Sequence, residues 1–375
     1  MAGIYIHIPF CRHKCHYCNF FSSASQRKVN DYIQSVLKEI SFRQSYLKQE
    51  KINTVYFGGG TPSLLEISAI GKILEQIHSH FQFSSNPEIT LEANPEDITP
   101  GKAIALRNVG INRLSIGIQS FNDVDLVYLG RHHTSKQAYD AILIALDAGF
   151  NNLNIDFIYG IPTLTSSDFD NNLNKAFALH IPHISAYALT VEPRTSLQYF
   201  IATRKRAPLN EEQTSQQFRM LMHRMRENGY QHYEISNFCV EGMYAKHNTA
   251  YWTGEKYLGV GPSAHSFDGE SRQWNISSIS TYIAALQNDT LPFSKEILTP
   301  ADQYNEYIMT SLRTMWGCDT ALMEKKFGEK ITSDFYNSAL KLSKKKWLSV
   351  IGNRVILTDE GKLFADHITS DLFSC

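Results

Sequence analysis

Phe10-Cys11-Arg12-His13-Lys14-Cys15-His16-Tyr17-Cys18-Asn19-Phe20 places three cysteines within eight residues, directly after the short apolar run Ile4 to Ile8. Thiols spaced four and then three positions apart can wrap one face of a [4Fe–4S] cluster and leave its fourth iron without a protein ligand. That open iron is where chemistry can be done. Two other readings use the same residues. A zinc knuckle needs four closed ligands, which His13 or His16 could complete, and a redox pair needs only Cys15 and Cys18.

The rest of the chain sets the frame. With 375 residues, 43% of them hydrophobic, it can bury a large core with a smaller unit attached. A formal net charge of −1 gives no electrostatic reason to expect nucleic acid as a partner. Beyond the first three cysteines, Cys239, Cys318 and Cys375 are scattered and call for no disulfide. No signal peptide precedes Tyr5 and no stretch is apolar for long enough to span a bilayer, so a cytoplasmic protein with reduced thiols is expected.

Strand-like runs at Ile4 to Pro9, Thr54 to Gly58, Ile89 to Asn94, Arg113 to Gln119, Leu153 to Tyr159 and Ile184 to Thr190 alternate with amphipathic segments. Those segments include Val29 to Leu47, Ser68 to His80, Lys136 to Ala148 and Phe169 to Leu179. Six such units predict an α/β fold, a partial (β/α)6 TIM-like barrel of parallel strands with helices outside. Polar residues at the carboxyl ends of barrel strands line active sites. At those ends stand Gly58-Gly59-Gly60-Thr61, Glu92 and Gln119, with Arg131 in the loop after the fourth strand, while Asp156 lies within the apolar fifth strand, where a carboxylate is costly to bury unless paired or bound to a ligand. Each could equally be a satisfied polar residue in a loop or cap.

The cysteine spacing resembles the signature of the radical S-adenosylmethionine (SAM) superfamily, and the strand-end residues are similar to those of its subfamily of oxygen-independent coproporphyrinogen III dehydrogenases and haem chaperones. The resemblance implies that Cys11, Cys15 and Cys18 hold the cluster, and that SAM chelates the open iron and is reduced to a 5′-deoxyadenosyl radical. It implies that Tyr5 and Tyr17 pack near SAM, that Gly59, Gly60 and Thr61 meet its methionine end, and that Glu92, Gln119, Arg131 and Asp156 hold its polar groups. No catalytic residue is assigned.

Phe20 stands where the dehydrogenases carry a further cysteine, and four residues precede Tyr5 where they have a long segment that helps bind a second SAM. Both features are similar to the haem chaperones. So is Lys246-His247-Asn248-Thr249-Ala250-Tyr251-Trp252, an HNxxYW motif that implies haem contact through His247, Asn248, Tyr251 and Trp252. An imidazole suits an axial bond to haem iron and the aromatics suit a porphyrin face. An ordinary buried histidine among core aromatics is the other reading. Leu258 to Ser266, rich in glycine, is expected to be a close-packed loop facing the site.

From about residue 296 the texture changes to helical patterns at Pro300 to Met315, Ala321 to Phe327 and Ser333 to Lys346. Strands at Leu348 to Ile351 and Arg354 to Leu357 follow, joined by Gly352-Asn353. This predicts a small α+β winged-helix-like domain. Lys341, Lys344, Lys345 and Lys346 read as a solvated helix face, with no nucleic acid expected. The expected organisation is a core barrel over 1–235, a haem- or substrate-facing segment over 236–295 and the winged-helix-like domain over 296–375. The expected partners are haem as cargo and haem-acceptor proteins, some at the membrane; a homodimer stays open. Oxidative decarboxylation of coproporphyrinogen is the alternative function, and nucleic-acid modification a more distant one.

Overall fold

The computed structural model describes residues 1–374, so Cys375 lies outside the described residues. Six strands form the parallel centre: β1 (Ala2–Ile8), β2 (Ile52–Gly59), β3 (Phe83–Ala93), β4 (Arg113–Gln119), β5 (Asn152–Tyr159) and β6 (His183–Ala188). They pair in chain order, each parallel to the next. Strand alternation explains why. In β1, Ile4, Ile6 and Ile8 are fully buried in the main core, whereas Tyr5, one residue out of step, lines the central cavity. Helices outside the sheet start on side-chain caps: Thr99, Thr134 and Thr165 each accept from a backbone N–H in the first turn.

The sheet does not stop at six strands. β7 (Gln231–Glu234) and β8 (Asn237–Cys239) extend it beyond β6, with β8 antiparallel to β6. At the other side β9 (Lys256–Val260) runs parallel to β1 and is followed by β10 (His265–Phe267), β11 (Ser271–Asn275) and β12 (Phe293–Ile297). The strand order is β12-β11-β10-β9-β1-β2-β3-β4-β5-β6-β8-β7. The glycine-rich run from Leu258 is therefore only partly the expected loop. Its first residues are strand, and a Cβ at Gly259 would sit 2.0 Å from the His265 carbonyl oxygen, so it is packed against its own hairpin.

Glu39 fastens this extension to the barrel. Its fully buried carboxylate accepts from the Tyr282 hydroxyl (2.6 Å), the Gly261 N–H (2.9 Å) and Asn275 Nδ2 (2.8 Å), and pairs with Arg43 Nε at 3.3 Å. So many donors around one buried carboxylate lock the extension to the barrel wall.

A second, smaller core contains Tyr304, Ile308, Leu312, Phe335 and Val355. Its strands β13 (Cys318–Asp319), β14 (Leu348–Ile351) and β15 (Arg354–Leu357) form a sheet in the order β13-β15-β14, with helices Pro300–Leu312, Thr320–Phe327 and Glu329–Lys344. Helix, strand, two helices and a hairpin make the winged-helix order. The hairpin turns at Gly352, whose φ of 56° a glycine adopts without strain.

Candidate active site

A cavity of about 580 Å³ fills the lumen of the partial barrel and opens at the carboxyl ends of its strands. At one end lies the cysteine loop: Cys11 is buried and Cys15 and Cys18 half-buried, all three lining the cavity with Tyr17. Burial, and then the neighbouring thiols of Cys15 and Cys11, push the Cys18 thiol up from its ordinary value. Binding iron there must release its proton. Two glycines make room for the loop. Gly59 has φ +106°, and a Cβ on Gly60 would lie 2.6 Å from the Phe10 carbonyl oxygen, 2.8 Å from that of Ile8 and 3.0 Å from Cys11 Sγ. The two carbonyls also accept from the N–H groups of Thr61 and Gly60, at 2.7 Å each.

The histidines of the loop are turned to other tasks. His13 stacks on His132 with ring centroids 3.8 Å apart, and His16 Nδ1 donates to the Tyr128 carbonyl at 3.1 Å. Among the described residues no three His, Cys, Asp or Glu side chains are gathered around a point that would suit a single metal ion. The three thiols border the cavity, which leaves room beside them for a cuboidal group.

Arg131 joins this loop to the barrel. Its Nη1 donates to Cys15 Sγ at 3.4 Å, and its Nη2 to Asn94 Oδ1 at 2.7 Å and the Gly117 carbonyl at 2.8 Å. Beside it Gln119 ends β4 with φ +63°, a left-handed conformation unusual for a residue with a side chain. Glu92 accepts from the Tyr56 hydroxyl (2.7 Å) and the Gly59 N–H (3.2 Å). Burial first, and then the charge of Asp156, raise its carboxyl to about 7. Asp156 is also raised by burial, and is held by Asn154 Nδ2 at 2.7 Å and the Ser115 hydroxyl at 3.4 Å. The site thus offers two carboxyls and backbone amides near the three thiols, suited to a ligand with cationic and hydroxyl groups.

The HNxxYW residues lie at the opposite, amino-terminal level of the strands. The Lys246–Trp252 helix is fixed by Glu88, whose carboxylate accepts from the N–H groups of Lys246 (3.2 Å) and His247 (3.1 Å). His247 is buried, with Nδ1 bonded to Thr54 Oγ1 at 2.7 Å and Nε2 to the Tyr251 hydroxyl at 2.9 Å. Its ring stacks against Tyr56, and burial lowers its pKa to about 3. Both nitrogens are therefore engaged, so an axial bond to iron requires one of these contacts to be exchanged. Asn248 and Tyr251 line the cavity with it. Trp252 does not share that placement: its ring lies under the Arg313 guanidinium, 5.5 Å away, against the C-terminal unit.

Several residues that build the site carry no motif of their own. Tyr56, Asn94, Ser115 and Asn154 hold Glu92, Arg131 and Asp156 in place. The signal for them is parity. They stand two residues from a strand-end polar residue, or opposite one in register, as Glu92 opposes Ser115 and Ser115 opposes Asn154.

A parallel partial barrel with three thiols at its mouth is the architecture of a radical SAM protein. The sequence profile of the Radical SAM superfamily matches residues 5–176, and that of the HemN C-terminal domain matches 298–364. The haem chaperone HemW of Bacillus subtilis (strain 168) is 32% identical over 372 residues, 98% of each chain; that of Escherichia coli (strain K12) is 34% identical over 70% of this chain and 69% of its own. The chain belongs to the HemW family. A solved structure of coproporphyrinogen III oxidase (HemN) from Escherichia coli superposes with a TM-score of 0.85 at 24% identity, covering 100% of this chain and 90% of that one, and shares the fold. A radical SAM domain implies a [4Fe–4S] cluster and SAM. No helix among the described residues is long and apolar enough to cross a membrane.

Proposed function

We propose that this chain carries a [4Fe–4S] cluster on Cys11, Cys15 and Cys18, holds SAM in the barrel mouth, binds haem and passes it to haem-requiring proteins. The observation that carries the cofactor half is the Arg131 bridge between Cys15 and Asn94, which sets the cysteine loop over the cavity. When bound, the cluster supplies electrons to SAM. The chain's own residues position the ligand: Glu92, Gln119 and Asp156 accept or donate from three adjacent strands, Gly59 and Gly60 let backbone amides approach, and Tyr5 walls the cavity.

Haem as cargo rests on the family and on the HNxxYW helix. His247 would become an axial ligand by exchanging its contact with the Tyr251 hydroxyl, which lines the cavity beside it. The acceptor proteins and the cytoplasmic setting belong to the same reading. The test is transfer: haem-loaded protein incubated with an apo-haem protein should pass its haem on, and protein that binds no haem after cluster reconstitution would overturn the proposal.

A further inference from the structure

Arg113 opens β4 deep in the lumen and is 2% exposed, yet its charge is thinly paired. Its Nε has no hydrogen-bond partner and stands 4.0 Å from the nearest carboxylate oxygen, on Glu88. A buried cation left in this way costs free energy, so its position calls for another explanation than a salt bridge. The charged and titratable groups facing it come from every side of the lumen. They are Glu88 and Glu92 on β3, Asp156 on β5, His183 on β6 and His247 on the Lys246–Trp252 helix, with Tyr56, Tyr233 and Cys239.

Burial keeps both imidazoles neutral. Within this set Arg113 is then the one cation among three carboxyls. Glu92, Asp156 and Arg113 line the same cavity, where the charge of Asp156 disfavours ionisation of Glu92 and a nearby positive charge favours it. The register sets Arg113 two pairs below Glu92, a spacing that returns to the same face of the sheet: Thr90 opposes Arg113, and Glu92 opposes Ser115.

We infer that Arg113 is a positioning residue, the counter-charge that offsets part of the burial of Glu92 and Asp156 and so favours the form able to hold the cationic groups of SAM. The inference rests on the reading that those two carboxyls meet SAM. Arg113 does not touch the ligand itself; it acts through Glu92 and Asp156.

The test is SAM affinity by calorimetry between about pH 6 and pH 9 on reconstituted protein. Wild-type affinity should fall as pH drops below the Glu92 range. In Arg113→Gln the fall should begin at higher pH, leaving binding roughly tenfold weaker near neutrality for each unit of displacement and recovering in alkali. Arg113→Lys should restore the wild-type profile. Glu88→Gln, which removes a negative charge beside Arg113, should move the midpoint the other way and serves if Arg113→Gln does not fold. An Arg113→Gln profile offset equally at every pH, or a Glu88→Gln profile superimposed on wild type, would overturn the inference. A wild-type profile flat across the range would instead overturn the placing of Glu92 at SAM.

Discussion

Arg131 and Cys15, 116 residues apart in the chain, meet at 3.4 Å, guanidinium to sulfur. The contact makes the cysteine loop part of the barrel wall, because the same guanidinium also holds Asn94 and the Gly117 carbonyl.

Replacing Cys11, Cys15 or Cys18 by Ala should abolish the brown chromophore of anaerobically reconstituted protein. Cys239 and Cys318, both fully buried away from the loop, should be replaceable without loss of iron, as should Cys375. Iron and sulfide analysis checks this. A full cluster in the Cys15 variant, or stoichiometric zinc in protein prepared without oxygen, would refute the assignment.

Asp156→Ala should weaken SAM binding by about 1–3 kcal/mol, the usual cost of losing a hydrogen bond to a charged group, and leave the cluster intact. Calorimetry on the reconstituted protein measures it. Unchanged affinity in single variants of Glu92, Gln119, Arg131 and Asp156 would show that the barrel mouth is not where SAM sits.

Gly60→Ala should disturb the cysteine loop directly, since its Cβ would press on two backbone carbonyl oxygens that cannot move away without breaking the Gly60 and Thr61 hydrogen bonds. The expected cost is about 1–3 kcal/mol of stability, read as a lowered denaturant midpoint, with reduced iron content after reconstitution. A variant with wild-type stability and a full complement of iron would contradict it.

Buried and half-buried histidines contribute to the acid limit of the fold. Burial lowers His183 well below its ordinary value and brings His232 and His247 to about 3. The unfolded chain binds protons on these rings below about pH 6.5 while the folded chain does not, so stability should be full above that pH and decline as pH falls toward 3. Denaturant titrations at a series of pH values should show the decline. His247→Gln should flatten part of it.

Much of this was legible in the sequence, and the gaps have physical causes. The six parallel strands and the β14–β15 hairpin announce themselves through apolar alternation and turn residues, and β4 falls at its expected bounds, Arg113 to Gln119. The first long helix was expected to run to Leu47 but ends at Phe42. The apolar pattern continues through Tyr46 and Leu47, while Lys48 and Gln49 take positive φ in a turn that periodicity does not register. Strands β7, β8, β10 and β11 are short, three to five residues, and half polar. Their pairing is fixed by distant partners such as Glu39 with Asn275, a contact with no local signature. The strand-end site residues were legible because they sit at the mouth, and Asp156 because a lone carboxylate in an apolar strand stands out; Tyr56, Arg113 and Asn154 were not, because a tyrosine, the first residue of a strand and an amide carry no such signal.

The most direct measurement places one anaerobic, reconstituted preparation with SAM before two ligands, haem and coproporphyrinogen III. The account predicts a stable haem complex, an absorption spectrum altered in His247→Ala, and no protoporphyrinogen IX formed. Turnover of coproporphyrinogen III by protein that binds no haem would contradict it.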